Sequence, residues 1–255
     1  MKTRILAIIC LTFVLSSCSE DNDISLEPVA ITLNFSHSWN GTEITNADFN
    51  ELKFINENGE ILSIEGLRYV ISEISLTHES GENTILDNYN LVDLTNNGGL
   101  SFKTSEAILP GNYTKVTFRF GFRDEYNIDG AYPDLNTASF NVPGALSGGY
   151  HFMQFDGKYR NTASEEAPFN YHVISAIDPT NTNDPIDTSF VLNIGPLTVS
   201  GNTNIHMEMD VSEWFKNPNV WDLNENDVNL MGNYDVQLLM NQNGSSVFSL
   251  ISITQ

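Results

Sequence analysis

From residue 29 onward, apolar side chains recur at every second position, as in β-strands. Val29, Ile31, Leu33 and Phe35 alternate with Ala30, Thr32 and Asn34, the period of a half-buried strand. Asn40-Gly41 ends this stretch as a turn. Leu67 to His78 is a second extended region, with Tyr69 and Ile71 in one register and Ile74 and Leu76 in the other. The change of phase near Ser72-Glu73 predicts a bulge. Ile85 to Leu94 follows the turn Ser80-Gly81-Glu82-Asn83, and Val116, Phe118, Phe120 and Phe122 mark another alternating strand. Further strands are predicted at 150–155, 169–177, 190–199, 205–209, 236–240 and 247–253. Helical signal is sparse: one short helix over 212–216, capped by Asp210 or Ser212 and stopped before Pro218. Many short strands between Gly, Pro and Asn turns predict an all-β, antiparallel β-sandwich of Greek-key or jelly-roll type. Its long loops, 123–149 and 178–189, are natural places for a site on a rigid scaffold.

The first 28 residues follow another pattern. Lys2 and Arg4 precede an apolar run from Ile5 to Val14, and Leu15-Ser16-Ser17-Cys18 follows. That order is a secretory signal ending in a lipobox, with the thiol of Cys18 taking the lipid. The run is too short for a membrane-spanning helix. We therefore expect a signal peptide over 1–17, an acidic tether over 18–28 and one domain over 29–255. The mature chain would be extracytoplasmic, held at the outer membrane by acyl chains alone, facing the periplasm or the cell surface. The tract Ser19-Glu20-Asp21-Asn22-Asp23 reads equally as a surface-export tether or a plain solvated linker.

Charge and cysteine narrow the chemistry. The chain has 11 Lys and Arg against 33 Asp and Glu, a formal charge of −22, and loss of Lys2 and Arg4 with the signal takes it to −24. Such a surface repels phosphate backbones, so nucleic acid is not an expected partner. Cys10 leaves with the signal and Cys18 is acylated, so no thiol remains for a disulfide or a metal. A transition-metal site must then use His, Met, carboxylate, backbone or a modified side chain.

Five histidines are available. His37 and Trp39 continue the core-facing register of Val29 to Phe35, where a histidine can reach a metal or be satisfied by a backbone carbonyl. His151 shares a strand face with Met153, an imidazole and a thioether about 7 Å apart. These donors suit copper, although Met153 serves equally as core filling. His172 lies among apolar and aromatic neighbours, His206 alternates with Glu208 and Asp210, and His78 borders a turn. Asp222-x-Asn224-x-Asn226 resembles the start of an EF-hand, but Asp227 and Asn233 stand where Gly and Glu are needed, so it reads as a loop. No hydrolase, zincin or P-loop motif appears, and no enzymatic role is expected.

Several segments together resemble the MbnP-like copper-binding family. They are Phe35-Ser36-His37-Ser38-Trp39-Asn40-Gly41, the stretch from Leu67 to Leu76, Gly149-Tyr150-His151 through Tyr159, Tyr171-His172-Val173, Asp210 through Pro218, and Asn243 through Ser249. The resemblance spans roughly residues 29–253. It implies a β-sandwich that binds one copper ion, Cu+ or Cu2+, through histidines, for copper acquisition or handling. In such proteins the site also uses a tryptophan oxidised to kynurenine by a partner di-haem peroxidase of the MbnH-like type. Carried over, the resemblance implies His37 and His172 as ligands and His151 as a third, with Met153 auxiliary and Trp39 as the residue for oxidation. The chain departs from the pattern before Gly149, where relatives carry tryptophan and this sequence has Ala145-Leu146-Ser147-Gly148. A second reading is a surface module that binds glycan or protein through loops 123–149 and 178–189, with Tyr126, Tyr132 and Phe140 as contacts.

Overall fold

A computed structural model describes residues 26–181 and 185–255. The signal segment and Cys18 lie outside the described residues, as does the tether up to residue 25.

The first strands are β1 (Ile31–Trp39), β2 (Thr42–Ile44), β3 (Phe54–Ile55), β4 (Ile61–Leu62), β5 (Gly66–His78) and β6 (Asn83–Asp93). They are followed by β7 (Ser101–Lys103), β8 (Gly111–Phe120), β9 (Met153–Arg160) and β10 (Glu166–Val173). The last three are β11 (Phe190–Val199), β12 (Thr203–Asp210) and β13 (Phe248–Thr254). Helix α1 (Pro133–Thr137) lies between β8 and β9, and α2 (Tyr234–Gly244) between β12 and β13. A smaller sheet runs β13-β12-β1-β2, with β7 also on β1. A larger one runs β11-β8-β5-β9-β4-β3, with β6 on β5 and β10 on β9. The all-β sandwich expected from the alternation is the fold observed. One pairing differs in sense: β1 and β12 run parallel, with Phe35 opposite Met207.

The alternation of β1 points Ile31, Leu33 and Phe35 into the core between the sheets. There Phe35 meets Tyr69 and Phe118 edge-on, with ring centroids 6.3 and 6.2 Å apart, the geometry that aromatic quadrupoles favour.

Strand β5 organises the larger sheet. Gly66 to Tyr69 pair with β9, whereas Ile71 to His78 pair with β8 on the same flank. The expected bulge lies just beyond this changeover: register shifts between Ser72 and Ser75, and Glu73 has φ +49°. Because β8 stops and β9 starts along one edge of β5, the chain between them must leave the sheet. That departure is the long loop predicted from residue 123.

Several elements differ from the sequence reading: α1 forms within the loop expected over 123–149, and the strand expected over 150–155 begins only at Met153, so His151 precedes it and does not share a face with Met153. Residues 236–240 form part of α2, not a strand. Asn233 caps the helix by accepting from the Val236 N–H, and Val236, Gln237, Met240, Asn243 and Gly244 are buried on one face. The three-to-four residue spacing of that face is helical. The short helix near Trp214 is a 3-10 turn, Val211–Phe215, with the Asp210 side chain accepting from the Ser212 N–H. Among the described residues no helix is long and apolar enough to cross a membrane.

Candidate metal centre

Strands β5, β9 and β10 present alternate residues to opposite faces. Tyr69 and Met153 are register partners facing the sandwich core, and Arg68 and Gln154 are partners facing out. His172 lies opposite Gln154 and shares the outer face. The β8–β9 loop folds over this face: Arg68 Nη1 donates to the Ala138 carbonyl at 2.8 Å, and Gln154 Nε2 donates to the Ser139 carbonyl at 3.3 Å.

The returning limb of the loop brings in His151. Phe140 and His151 are joined by a backbone hydrogen bond of 3.0 Å, and Asn141 bridges Tyr150. The stretch Ala145-Leu146-Ser147-Gly148 makes the turn of this hairpin. Position 149 admits only glycine: its φ is +75°, and a Cβ would stand 2.7 Å from the Asn127 carbonyl oxygen.

Two oxygens orient the two rings. His151 Nδ1 is 2.9 Å from the Phe140 carbonyl oxygen. A carbonyl only accepts, so Nδ1 carries the proton and Nε2 presents its lone pair. Gln154 Nε2 also stands 3.2 Å from this Nδ1, but Nδ1 is already committed as a donor, so the Ser139 carbonyl is the amide's acceptor. The Gln154 Oε1 is buried without a hydrogen-bond partner. On the second ring, His172 Nε2 lies 2.8 Å from Asp156 Oδ1 and donates to it, so that in the neutral form of the ring Nδ1 is the electron-pair donor.

The ring centroids of His151 and His172 are 5.1 Å apart, with the planes perpendicular. Two imidazoles bound at about 2.0 Å to one ion at a near-tetrahedral angle have their centroids at about this spacing. The free Nε2 of His151 is 3.2 Å from the sulfur of Met231, which stands in the 3-10 turn Leu230–Gly232. Neither atom has a proton to give the other. Two electron-pair donors face each other at the separation that ligands of one soft cation adopt.

Burial keeps the ring of His151 ready to donate. Burial pushes the His151 pKa down to about 4, against a smaller upward pull from the Phe140 carbonyl, so the ring is neutral at pH 7. Burial raises the Asp156 pKa, but the hydrogen bond and charge of His172, with help from Asn170 and Arg68, outweigh it and hold the carboxyl below its ordinary value.

One side chain ties together two of the three backbone segments that carry donors, those of His172 and Met231. Gln237 on α2 is fully buried. Its Nε2 donates to the carbonyls of His172 at 2.9 Å and Leu230 at 3.2 Å, and its Oε1 accepts from the Ile174 N–H at 2.9 Å.

The other sequence candidates lie elsewhere. His37 is buried in the sandwich core with Nε2 3.1 Å from the Tyr69 hydroxyl. Tyr69 and His172 face opposite sides of the larger sheet, so His37 is separated from the outer pair. Met153 also points inward and is fully buried. Trp39 packs against Phe54 and Phe215 in the core and donates from Nε1 to the Ile55 carbonyl at 3.1 Å. His78 and His206 each meet a serine hydroxyl. The loop at Asp222 is closed by its own bonds: Asp222 accepts from the Asn224 N–H at 2.8 Å, and the Asn224 amide reaches Glu60 at 2.6 Å. Phe140 is fully buried, with its ring against His151 and Arg68, which removes it from any contact patch. Among the described residues no group of three or more His, Cys, Asp or Glu side chains is placed to hold a metal. The arrangement present is two imidazoles and a thioether.

Sequence reasoning missed Met231 and Gln237. No motif spacing connects them to the histidines; only the packing of α2 against β10 does.

No curated protein matches the chain. Among solved structures, MbnP from Methylosinus trichosporium superimposes with a TM-score of 0.50 at 14% sequence identity, over 76% of this chain and 79% of that one. At this identity the likeness shows the fold. The profile of the MbnP family matches residues 28–233, most of the chain, and includes His37, His151, His172 and Met231. The chain belongs to the MbnP family.

Proposed function

We propose that this protein is an extracytoplasmic copper-binding lipoprotein that takes up one copper ion through His151 and His172, with Met231 as third donor. Family membership supports a copper-related role. The observation that carries this ligand set is the 3.2 Å approach of the proton-free His151 Nε2 to the Met231 sulfur. A thioether beside neutral imidazoles favours the softer Cu+. The Phe140 carbonyl and the Asp156 carboxylate orient the two rings from behind, the role of outer partners around ligating histidines. The protein then binds and delivers rather than catalyses. It is anchored through Cys18 to the outer membrane, and the acidic surface raises the local concentration of cations. Trp39 and a di-haem partner are not needed for this ligand set, because the indole lies in the core.

The test is a competition titration of the purified mature chain with a chromophoric Cu+ chelator. One copper per chain is expected. His151→Ala and His172→Ala should each weaken binding at least tenfold, and Met231→Leu should weaken Cu+ more than Cu2+. Unchanged affinity in both histidine variants would overturn this assignment.

A further inference from the structure

A second concavity lies on the outer face of the larger sheet, on the other side of the loop that carries His151. Two adjoining hollows of about 320 and 470 Å³ share Glu73, Ile85 and Tyr126 as common walls. Each falls in the size range of ligand pockets, about 300–1,000 Å³.

Three observations set this cleft apart from ordinary surface. First, Ile85, Tyr126 and Val191 are 56, 50 and 51% exposed, so large apolar groups are gathered where water should disfavour them. Second, aromatic rings are fixed at one end. Tyr132 stacks on Phe122 with centroids 4.8 Å apart and planes 7° from parallel, packs against Tyr89, and donates to the Tyr126 carbonyl at 2.9 Å. Third, Glu73 at the shared wall is held at φ +49° on the β5 bulge, a backbone cost that persists where the surroundings impose it. Its carboxylate accepts from Arg119 Nε at 2.6 Å and from Arg123 at 2.9 Å.

The charges define what fits. Arg119 also approaches Asp187 at 3.8 Å, and Arg123 reaches Glu125 at 3.1 Å. Two guanidiniums thus meet three carboxylates, leaving no free positive charge for a phosphate or an acidic sugar. The charge of Glu73 is already compensated by the two arginines, so a cation gains little there, while the remaining lone pairs of the carboxylate can still accept from a hydroxyl. Arg123 and Glu73 keep 46 and 27% of their side chains exposed, so a purely apolar ligand would strip water from charged atoms without replacing its hydrogen bonds. What remains is a neutral ligand with apolar faces and a polar rim of hydroxyls. A pyranose ring has that character: its C–H face lies on an aromatic ring while adjacent hydroxyls meet a carboxylate and a guanidinium fork.

We propose that this cleft binds a neutral saccharide chain, with Tyr126 as the stacking platform and Glu73 with Arg123 as the hydroxyl-binding pair. It is independent of the copper ligands and does not rest on their assignment.

Affinity electrophoresis of the full mature chain in native gels cast with soluble β-1,3-glucan, xylan, mannan or dextran tests it. Retardation by at least one of the four is expected. Tyr126→Ala should reduce the apparent affinity at least tenfold while leaving copper binding intact. Ile85→Glu, which places a charge between the two hollows at an exposed position, should do the same and guards against a folding defect in the first variant. Soluble casein serves as the polypeptide probe. Migration unchanged by all four polysaccharides, retardation that survives both substitutions, or Tyr126-dependent binding of casein instead would each overturn the proposal.

Discussion

The carboxylate of Asp156 stands 2.8 Å from Nε2 of His172 and 2.6 Å from the Asn170 amide, one residue bridging two neighbours on the adjacent strand. All three alternate on the outer face of the β9–β10 pair, so the ring of His172 is oriented by strand geometry as much as by its own rotamer. Removing such a partner from a ligating histidine typically costs 10- to 100-fold in metal affinity. Asp156→Ala should therefore weaken Cu+ binding by about that factor, with the stoichiometry unchanged. Chelator competition measures it, and an affinity within twofold of the parent would show that the carboxylate does not position the ring.

Gln237 acts at a greater remove. It makes three hydrogen bonds, to the His172 and Leu230 carbonyls and from the Ile174 N–H. In Gln237→Leu those backbone groups lose their partners in a buried place, at about 1–3 kcal/mol for each unsatisfied group. The urea midpoint should fall by an amount equivalent to about 3 kcal/mol or more. Copper affinity should fall as well, because the turn carrying Met231 is no longer tied to the strand carrying His172. A stability loss without any change in copper affinity would confine Gln237 to a structural role.

Much of the scaffold was legible from the chain. The alternation of β1 and β8 and the phase slip at Glu73 correspond to strands and a bulge, because a period of two records which face is buried. Residues 236–240 were misread because five residues with apolar ends fit either period. The deciding signals were the Asn233 cap and the buried Gln237 and Asn243, whose polar character hid the helical stripe. The site was half legible. His151 and His172 stand out as histidines in apolar segments, and the structure brings those two together. Met231 could not be found from spacing, since a helix and a turn carry it to His151 across 80 residues. His37 looked equivalent to His172 because both occupy strands rich in apolar residues. The sequence pattern does not say on which side of the larger sheet each ring falls.

Trp39 separates the two readings of the site. Its indole is 6% exposed and held by Phe54, Phe215 and the Ile55 carbonyl. Trp39→Phe should cost stability, about 1–3 kcal/mol for the orphaned carbonyl and the lost packing. If copper sits between His151 and His172 on the outer face, the same variant should keep its copper affinity within threefold. A tenfold loss would instead point to a core site that includes Trp39 and His37.

The two buried histidines should make the fold sensitive to acid. Burial pushes both His37 and His151 from 6.5 down to about 4. Between these values the unfolded chain takes up protons that the folded chain refuses, so stability falls as pH falls through this window. It is fully present above about pH 6.5, and below about pH 4 neither group contributes further change. At about 1.4 kcal/mol per pH unit, each histidine accounts for roughly 2–3 kcal/mol between pH 7.5 and 4.5. Asp156, with its pKa also held down, acts in the same direction, but only as pH falls below its ordinary value of 3.8. Urea midpoints at pH 7.5 and 4.5 measure the sum for the metal-free protein. His37→Gln keeps a polar partner for the Tyr69 hydroxyl and removes one titrating group, so it should lower the pH-dependent part by roughly half without abolishing copper binding. An undiminished pH dependence in that variant would mean that His37 is protonated in the fold as readily as in the unfolded chain, which its burial beside Tyr69 opposes.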